Sequence, residues 1–310
     1  MSENALVSIV LPVYNGARFL AGAIRSCRAQ TYPHWELIVV DDCSTDDTPQ
    51  IAAGFAAEDA RIRVIRHEQN RKLPGALNTG FDAARGDLLT WTSDDNLYRP
   101  DALAEMARFL ADHPDVGLVY ADYSLIDEGG NVTGTVRAPE RRDLMFKSVV
   151  GPCFLYRRAV AEAVGPYAED LYLAEDYDYW LRVSARFPIA ALHRDLYLYR
   201  EHAASLTGQQ KPRVLLARET AILRNLPRLG WATRSDRAEA YLHLADLAGA
   251  QGRARQRLAY WARALGQQPA LAARRGVVML ARDVFGDRWA RRLSESYGAL
   301  KRRLGRGSRA

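Results

Sequence analysis

Trp91-Thr92-Ser93-Asp94-Asp95-Asn96 closes an apolar run, Asp87-Leu88-Leu89-Thr90-Trp91, and stands just ahead of a helix-start signal at Arg99-Pro100-Asp101. Two adjacent carboxylates therefore sit on a tight turn at the carboxyl end of an expected strand. In open α/β sheets that edge is where ligands bind. A hard divalent cation takes oxygen ligands from one or two carboxylates and fills its shell with phosphate and water. Asp94 and Asp95 can supply such ligands. The plainer reading of an isolated Asp-Asp is that one caps the following helix and the other is solvated. The company the pair keeps decides between them.

Upstream, Val7-Ser8-Ile9-Val10-Leu11-Pro12-Val13-Tyr14 is β-branched and apolar, which suits a buried parallel strand, and Asn15-Gly16 breaks it. Phe19, Ala23, Ile24 and Cys27 then recur at helical spacing. Trp35-Glu36-Leu37-Ile38-Val39-Val40 is a second strand ending in Asp41-Asp42-Cys43-Ser44. Thr45-Asp46-Asp47-Thr48 follows as a turn into a helix with acidic residues at its positive end. Ile62 to Ile65 is a short third strand, and Gly75 to Ala84 a helix stopped by Arg85-Gly86. This regular alternation predicts a parallel sheet covered on both faces, with right-handed crossovers. Tyr14-Asn15, Asp41-Asp42 and Asp94-Asp95 would then share one sheet edge.

Downstream, a helix is expected over Pro100 to Asp112, strands over Gly117 to Tyr123 and Cys153 to Tyr156, and a helix over Arg157 to Val164. Asp127-Glu128-Gly129-Gly130-Asn131 is a hairpin signal. Residues 134–150 lack periodicity and read as a mobile loop near the site. Glu175-Asp176 opens a helix with mixed faces through Val183, and Ile189 to Tyr199 is a late strand. No G-x-x-x-x-G-K-[ST] occurs, and no G-x-G-x-x-G follows the first strand, which disfavours P-loop and dinucleotide-binding domains. Phosphate would instead be held through a metal and side chains.

At 310 residues the chain can form one large domain plus an appendage. Three scattered cysteines, Cys27, Cys43 and Cys153, argue for a reducing compartment and against a zinc site. No signal pattern and no run long enough to span a bilayer is seen, so a cytoplasmic, non-integral protein is expected. The net charge of +6 hides a split: residues 1–211 carry 22 Lys/Arg against 30 Asp/Glu, and residues 212–310 carry 21 against 7. The basic part should favour an anionic surface.

Taken together, residues 5 to about 206 resemble the family 2 glycosyltransferases of the GT-A fold. The matching stretches are Val7 to Gly16, Glu36 to Asp46, Thr92-Ser93-Asp94-Asp95-Asn96, and Glu175-Asp176 with Tyr179-Trp180-Leu181-Arg182. The resemblance implies an α/β, Rossmann-like nucleotide-diphospho-sugar domain over 1–210, followed by a basic α-helical region over 211–310. It implies that Pro12 and Tyr14 line the base pocket, that Asp42 bonds the base, and that Asp41 orients the turn. Asp94 would face the ribose or diphosphate, Asp95 would ligate Mg²⁺ or Mn²⁺, and Lys72 stands where relatives place a base- or phosphate-binding arginine. Asp176 becomes the catalytic base, with Glu175 and Trp180 as acceptor-side or supporting residues. The Gln-x-x-Arg-Trp signature of processive synthases is missing, so a single-addition enzyme is implied; with Asp176 as base and the acceptor attacking from the side opposite the leaving group, the anomeric centre should invert. The expected donor is a nucleoside-diphosphate sugar, UDP-linked by preference, and the acceptor a saccharide or lipid-linked hydroxyl.

Glu175-Asp176 also reads as an acidic pair stabilising a helix dipole. His202, in a Tyr-Arg-x-His-x-x-Ser run, would complete the metal shell or bond the diphosphate, or be a surface-loop histidine. Arg200 beside it could pair with a carboxylate. In the tail, Tyr241, Leu244, Ala245, Trp261, Ala264 and Pro269 match one tetratricopeptide-like helix hairpin, expected to pack on the catalytic domain. Trp289, Leu293, Tyr297, Leu300 and Leu304 form a stripe flanked by Arg291, Arg292, Lys301, Arg302 and Arg303. That pattern suits either an interfacial helix on anionic lipid or a helix docked on its own domain. No motif supports nucleic-acid binding. A nucleotidyltransferase and a non-catalytic sugar-nucleotide-binding scaffold remain as rivals.

Overall fold

The computed structural model describes residues 5–202 and 210–276. Strands are β1 (Val7–Val13), β2 (Trp35–Asp41), β3 (Ile62–Arg66), β4 (Leu88–Trp91), β5 (Leu97–Tyr98), β6 (Leu118–Ile126), β7 (Val132–Val136), β8 (Phe154–Arg157) and β9 (Ile189–Arg200). Helices are α1 (Ala17–Arg28), α2 (Thr48–Glu58), α3 (Lys72–Ala83), α4 (Ala102–Asp112), α5 (Arg158–Val164), α6 (Glu175–Arg186), α7 (Lys211–Asn225), α8 (Arg234–Ala250) and α9 (Ala254–Gln267). One nine-stranded sheet runs in the order β3-β2-β1-β4-β8-β6-β9-β5, with β7 paired to β6.

The two halves of that sheet are built differently. β3, β2, β1 and β4 are parallel, and every residue of β1 and β2 is buried, as β-branched runs covered on both faces should be. Beyond β4 the sheet departs from the all-parallel expectation: β8 is antiparallel to both β4 and β6, and β5 is antiparallel to β9. Only β6 and β9 pair in parallel there. The predicted Asp127–Asn131 hairpin forms, with Gly130 at φ +91° and the Gly130 N–H donating to the Asp127 carbonyl. One core runs along a face of both halves, with Leu20, Ala23, Ile24 and Cys27 from α1 under the parallel strands and Leu103, Met106 and Leu110 from α4 meeting Val119, Leu155 and Leu196 of the other half.

Residues 134–150, expected as a loose loop, are partly ordered by burial. β7 occupies 132–136, and a 3-10 turn over Arg141–Met145 sinks Leu144 and Met145 completely. The Tyr177 hydroxyl donates to the Leu144 carbonyl at 2.6 Å.

The chain divides into two compact units between Leu229 and Gly230, later than the expected break at residue 210. The physical reason is α7. Its Asn225 donates to the buried Asp178 carboxylate of α6 at 2.7 Å, and its Arg224 pairs with Asp170 at 2.6 Å. The second unit contains α8 and α9 as a helical hairpin, opened by a Thr233/Asp236 capping box. The 289–304 stripe lies outside the described residues.

Candidate active site

Register explains why distant residues meet. Val13 on β1 is level with Asp41 on β2, and Val10 is level with Trp91 on β4. The Asp42 N–H donates to the Val13 carbonyl at 2.8 Å, and the Thr92 N–H to the Val10 carbonyl at 2.9 Å. Three strands therefore end together. A cavity of about 560 Å³ opens at that edge, lined among others by Pro12, Tyr14, Asp42, Lys72, Asp94, Asp95 and His202.

The turns after β1 and β2 are laced to each other. The Asn15 N–H donates to Ser44 Oγ, the Thr45 N–H to Asn15 Oδ1, and the Gly16 N–H to Thr48 Oγ1, each at 2.9 Å. Asp41 is buried, and its Oδ1 accepts the Ser44 N–H at 2.9 Å, so it orients the turn. Asp42 is held from the other side: its Oδ1 accepts the Arg71 N–H at 2.8 Å and His67 Nδ1–H at 2.7 Å. Tyr14 keeps 53% of its surface exposed on the cavity wall. Lys72 adopts φ +62°, and its ammonium lies 4.9 Å from the Tyr172 ring centroid.

Gly16 makes room for Asp94: a Cβ there would fall 2.0 Å from Asp94 Oδ2. Burial, and then the neighbouring charge of Asp95, push the Asp94 carboxyl up to about 7. Asp95 Oδ2 meets His202 Nε2 at 2.9 Å, while Asp95 Oδ1 is buried without a hydrogen-bond partner. An orphaned buried carboxylate oxygen is costly unless a water or an ion satisfies it. His202 is therefore a member of the cavity wall and not a solvated loop residue.

Arg200 does not pair with a carboxylate among the described residues. Its Nε donates to the Asp95 carbonyl, its Nη1 to the Asp127 and Glu128 carbonyls, all at 2.9 Å, and its guanidinium lies over the Phe19 ring. It ties the Asp95 turn to the β6–β7 hairpin.

Glu175 and Asp176 begin α6 and do not line the cavity among its described residues. Glu175 is buried, and its carboxylate accepts the Leu173 N–H at 2.7 Å, which makes it a support and not an acceptor contact. Asp176 Oδ1 accepts the Tyr177 N–H at 2.6 Å, and loss of hydration raises its carboxyl above the ordinary range. Tyr199 stands in the field of both centres: its phenol is pushed up to about 12 by burial first, then by the charge of Asp95 and, more weakly, of Asp176. Trp180 does not reach the cavity. It is 1% exposed, edge-on to Phe154 at 4.6 Å, in a cluster with Tyr156, Tyr167 and Tyr179. Any part it plays is played through α6.

Phe19, Asn70, Ser93 and Tyr172 also line the cavity, and His67 braces it, without having stood out in the sequence. Lone polar and aromatic residues off the strand ends carry no pattern of their own. The spacing Asn70-Arg71-Lys72 before an apolar helix was the one available signal.

A sheet whose parallel half ends in a cavity carrying carboxylates, extended by antiparallel strands, is the GT-A architecture. The family model "Glycosyl transferase family 2" matches residues 8–165, and the chain belongs to that family. It is 32% identical over 237 residues to the uncharacterized protein y4gI of Sinorhizobium fredii (strain NBRC 101917 / NGR234), which covers 74% of this chain but only 26% of that protein. It is 32% identical over 217 residues to the uncharacterized glycosyltransferase RP339 of Rickettsia prowazekii (strain Madrid E), covering 66% of this chain and 67% of the relative. It is 31% identical over 210 residues, 66% of this chain and 16% of the relative, to the O-antigen biosynthesis protein RfbC of Myxococcus xanthus. Among solved structures, mannosyltransferase PcManGT from Pyrobaculum calidifontis, in complex with GDP-Man and Mn²⁺, is similar with a TM-score of 0.61 and 21% identity. That match covers 97% of this chain and 87% of the mannosyltransferase. Among the described residues, no helix is long and apolar enough to cross a membrane.

Proposed function

We propose that this chain is an inverting, metal-dependent hexosyltransferase. It would move one sugar from a nucleoside-diphosphate sugar, UDP-linked by preference, to a hydroxyl of a saccharide or lipid-linked precursor of surface polysaccharide, lipopolysaccharide or glycolipid. The observation that carries this reading is the meeting of Tyr14, Asp42, Lys72, Asp94, Asp95 and His202 on one cavity, with Asp95 Oδ1 left without a partner. The O-antigen role of the Myxococcus relative supports the pathway class.

Among the described residues no cluster of three or more His, Cys, Asp or Glu side chains could hold a metal alone. One carboxylate and one imidazole, Asp95 and His202, fit an Mg²⁺ or Mn²⁺ that draws its other ligands from diphosphate and water. When bound, such an ion offsets the charge that builds on the leaving diphosphate. Tyr14 offers its exposed ring to the base, Asp42 its second oxygen as an acceptor, and Lys72 its charge to base or phosphate. Asp176 takes the proton from the acceptor hydroxyl as the new bond forms. Its dehydrated surroundings strengthen its hold on that proton. Peripheral attachment to anionic lipid through residues 289–304 belongs to the same proposal and rests on the sequence pattern alone.

The test is nucleotide release from a panel of sugar nucleotides, with Mn²⁺, Mg²⁺ or chelator. Asp95→Asn and Asp176→Asn should each cut transfer by roughly 100-fold or more. Only Asp95→Asn should also weaken metal-dependent nucleotide binding. Wild-type activity in Asp176→Asn would remove it as the base. Binding without release from any donor would favour a non-catalytic scaffold, and pyrophosphate release from a nucleoside triphosphate would favour a nucleotidyltransferase.

A further inference from the structure

Almost all of the described cavity wall comes from the ends of β1, β2 and β4, the starts of α1 and α3, and His202 after β9. Tyr172 is the exception. It is the one described lining residue from the segment that leads into α6, four positions before Asp176. Its ring meets the Lys72 ammonium at 4.9 Å across the cavity mouth.

The segment carrying Tyr172 is pinned on both sides. Upstream, Asn78 of α3 exchanges two hydrogen bonds with the backbone of Tyr167, at 2.8 and 3.0 Å, and Arg71 reaches Glu169 at 3.3 Å. Downstream, Leu173 is held at φ +81°, a conformation that costs an ordinary side chain on the order of 1–3 kcal/mol unless its surroundings impose it. The Glu175 carboxylate imposes it by accepting the Leu173 N–H at 2.7 Å, and the Ala174 N–H returns to the Leu171 carbonyl at 2.9 Å. Tyr172 is thus joined to the first residues of α6 by a short, hydrogen-bonded turn.

We propose that Tyr172 reads the nucleoside-diphosphate sugar and, through the Leu173 turn, sets the position of Asp176, making Tyr172 a donor-contacting positioning residue. The inference rests on Asp176 being the base of the proposed transfer. Donor packed against the Tyr172 ring and Lys72 adds a contact on the cavity side of this pinned turn, so the base is held most firmly when the donor is present. Acceptor activation would then follow donor binding, and unproductive transfer to water would be suppressed.

The experiment measures nucleotide affinity, donor KM, kcat and the ratio of acceptor transfer to donor hydrolysis. It uses wild type, Tyr172→Phe, Tyr172→Ala, Leu173→Gly and Asp176→Asn. Tyr172→Phe keeps the ring and should stay within about twofold in every quantity. Tyr172→Ala should lose roughly tenfold in donor affinity, as expected for removing a stacking and cation–π partner. It should also lose kcat and leak to hydrolysis. Leu173→Gly frees the turn without touching the cavity: nucleotide affinity should hold within about twofold, while kcat falls roughly 10- to 100-fold from misplacement of the base. Wild-type kcat in Leu173→Gly, or wild-type donor KM in Tyr172→Ala, overturns the proposal. If Leu173→Gly does not fold, the joint KM and kcat loss in Tyr172→Ala, absent from Tyr172→Phe, decides. Full activity in Asp176→Asn would overturn the base assignment itself, a failure separate from that of the Tyr172 contact.

Discussion

At the ends of β1, β2 and β4, carboxylates stand around an open cavity and one of their oxygens has no partner; at the start of α6, carboxylates are packed beside a wall of aromatic rings. The first region is anchored by side chain-to-backbone bonds between turns and opens to solvent. The second is dry and stiff, with Tyr167 stacked on Tyr179 at 4.0 Å and Trp180 edge-on to both. The difference teaches how one fold holds acidic groups in two ways: in reach of solvent where strands end, and dehydrated where rings exclude water.

Substitutions separate the two regions. The largest effect should come from Trp180→Ala, which removes a fully buried indole from the aromatic cluster. It should cost about 3–5 kcal/mol of stability, read by denaturant unfolding, with nucleotide affinity of the folded fraction unchanged. A comparable loss of nucleotide affinity would mean that the two regions are not separable.

Gly16→Ala comes next. Its Cβ would collide with Asp94 Oδ2 and lie 2.6 Å from Val13 Cγ2. Overpacking of this kind costs about 1–3 kcal/mol, and here it should appear as weakened nucleotide binding more than as lowered Tm. A smaller effect is expected from Arg200→Lys, which keeps the charge but not the fork that gathers three carbonyls. Metal-dependent nucleotide affinity should fall roughly tenfold, measured by titration calorimetry, because the Asp95 turn loses its brace.

A separate effect is a pH slope. Burial first, and then the charge of Asp176, push the Glu175 carboxyl up to about 8. The folded chain therefore keeps a proton that the unfolded chain releases in the ordinary carboxylate range. Stability should fall as pH rises through that range toward 8. Glu175→Gln, whose amide oxygen can still accept the Leu173 N–H, should flatten this slope in urea unfolding across pH 5 to 8. An unchanged slope would assign it to other groups.

The parallel half was legible because its signals are local: Val7 to Tyr14 and Trp35 to Val40 are apolar on both faces, and each ends in a turn residue that can be read without knowing its neighbours. Their shared edge followed from strand direction alone. The antiparallel half was not legible, since the order β4-β8-β6-β9-β5 is set by pairings between segments far apart in the chain. Burial of Leu144 and Met145 is a tertiary fact that no periodicity announces. Arg200 was read by its charge, yet it directs that charge to three carbonyl groups from two other places. Trp180 was placed near the chemistry because it is close in sequence to Asp176, but one turn further along α6 its indole packs among Phe154, Tyr156, Tyr167 and Tyr179 and stops short of the cavity. The division after Leu229 was hidden because the basic composition begins before the structural break does.

The exchange of hydrogen bonds between the β1–α1 and β2–α2 turns has a kinetic meaning. Asn15, Gly16, Ser44, Thr45 and Thr48 cannot shift independently, so this part of the cavity floor is assembled during folding and its ordering entropy is lost there. A ligand arriving at that floor finds it finished, which leaves binding energy for whatever must still be arranged at the opposite wall.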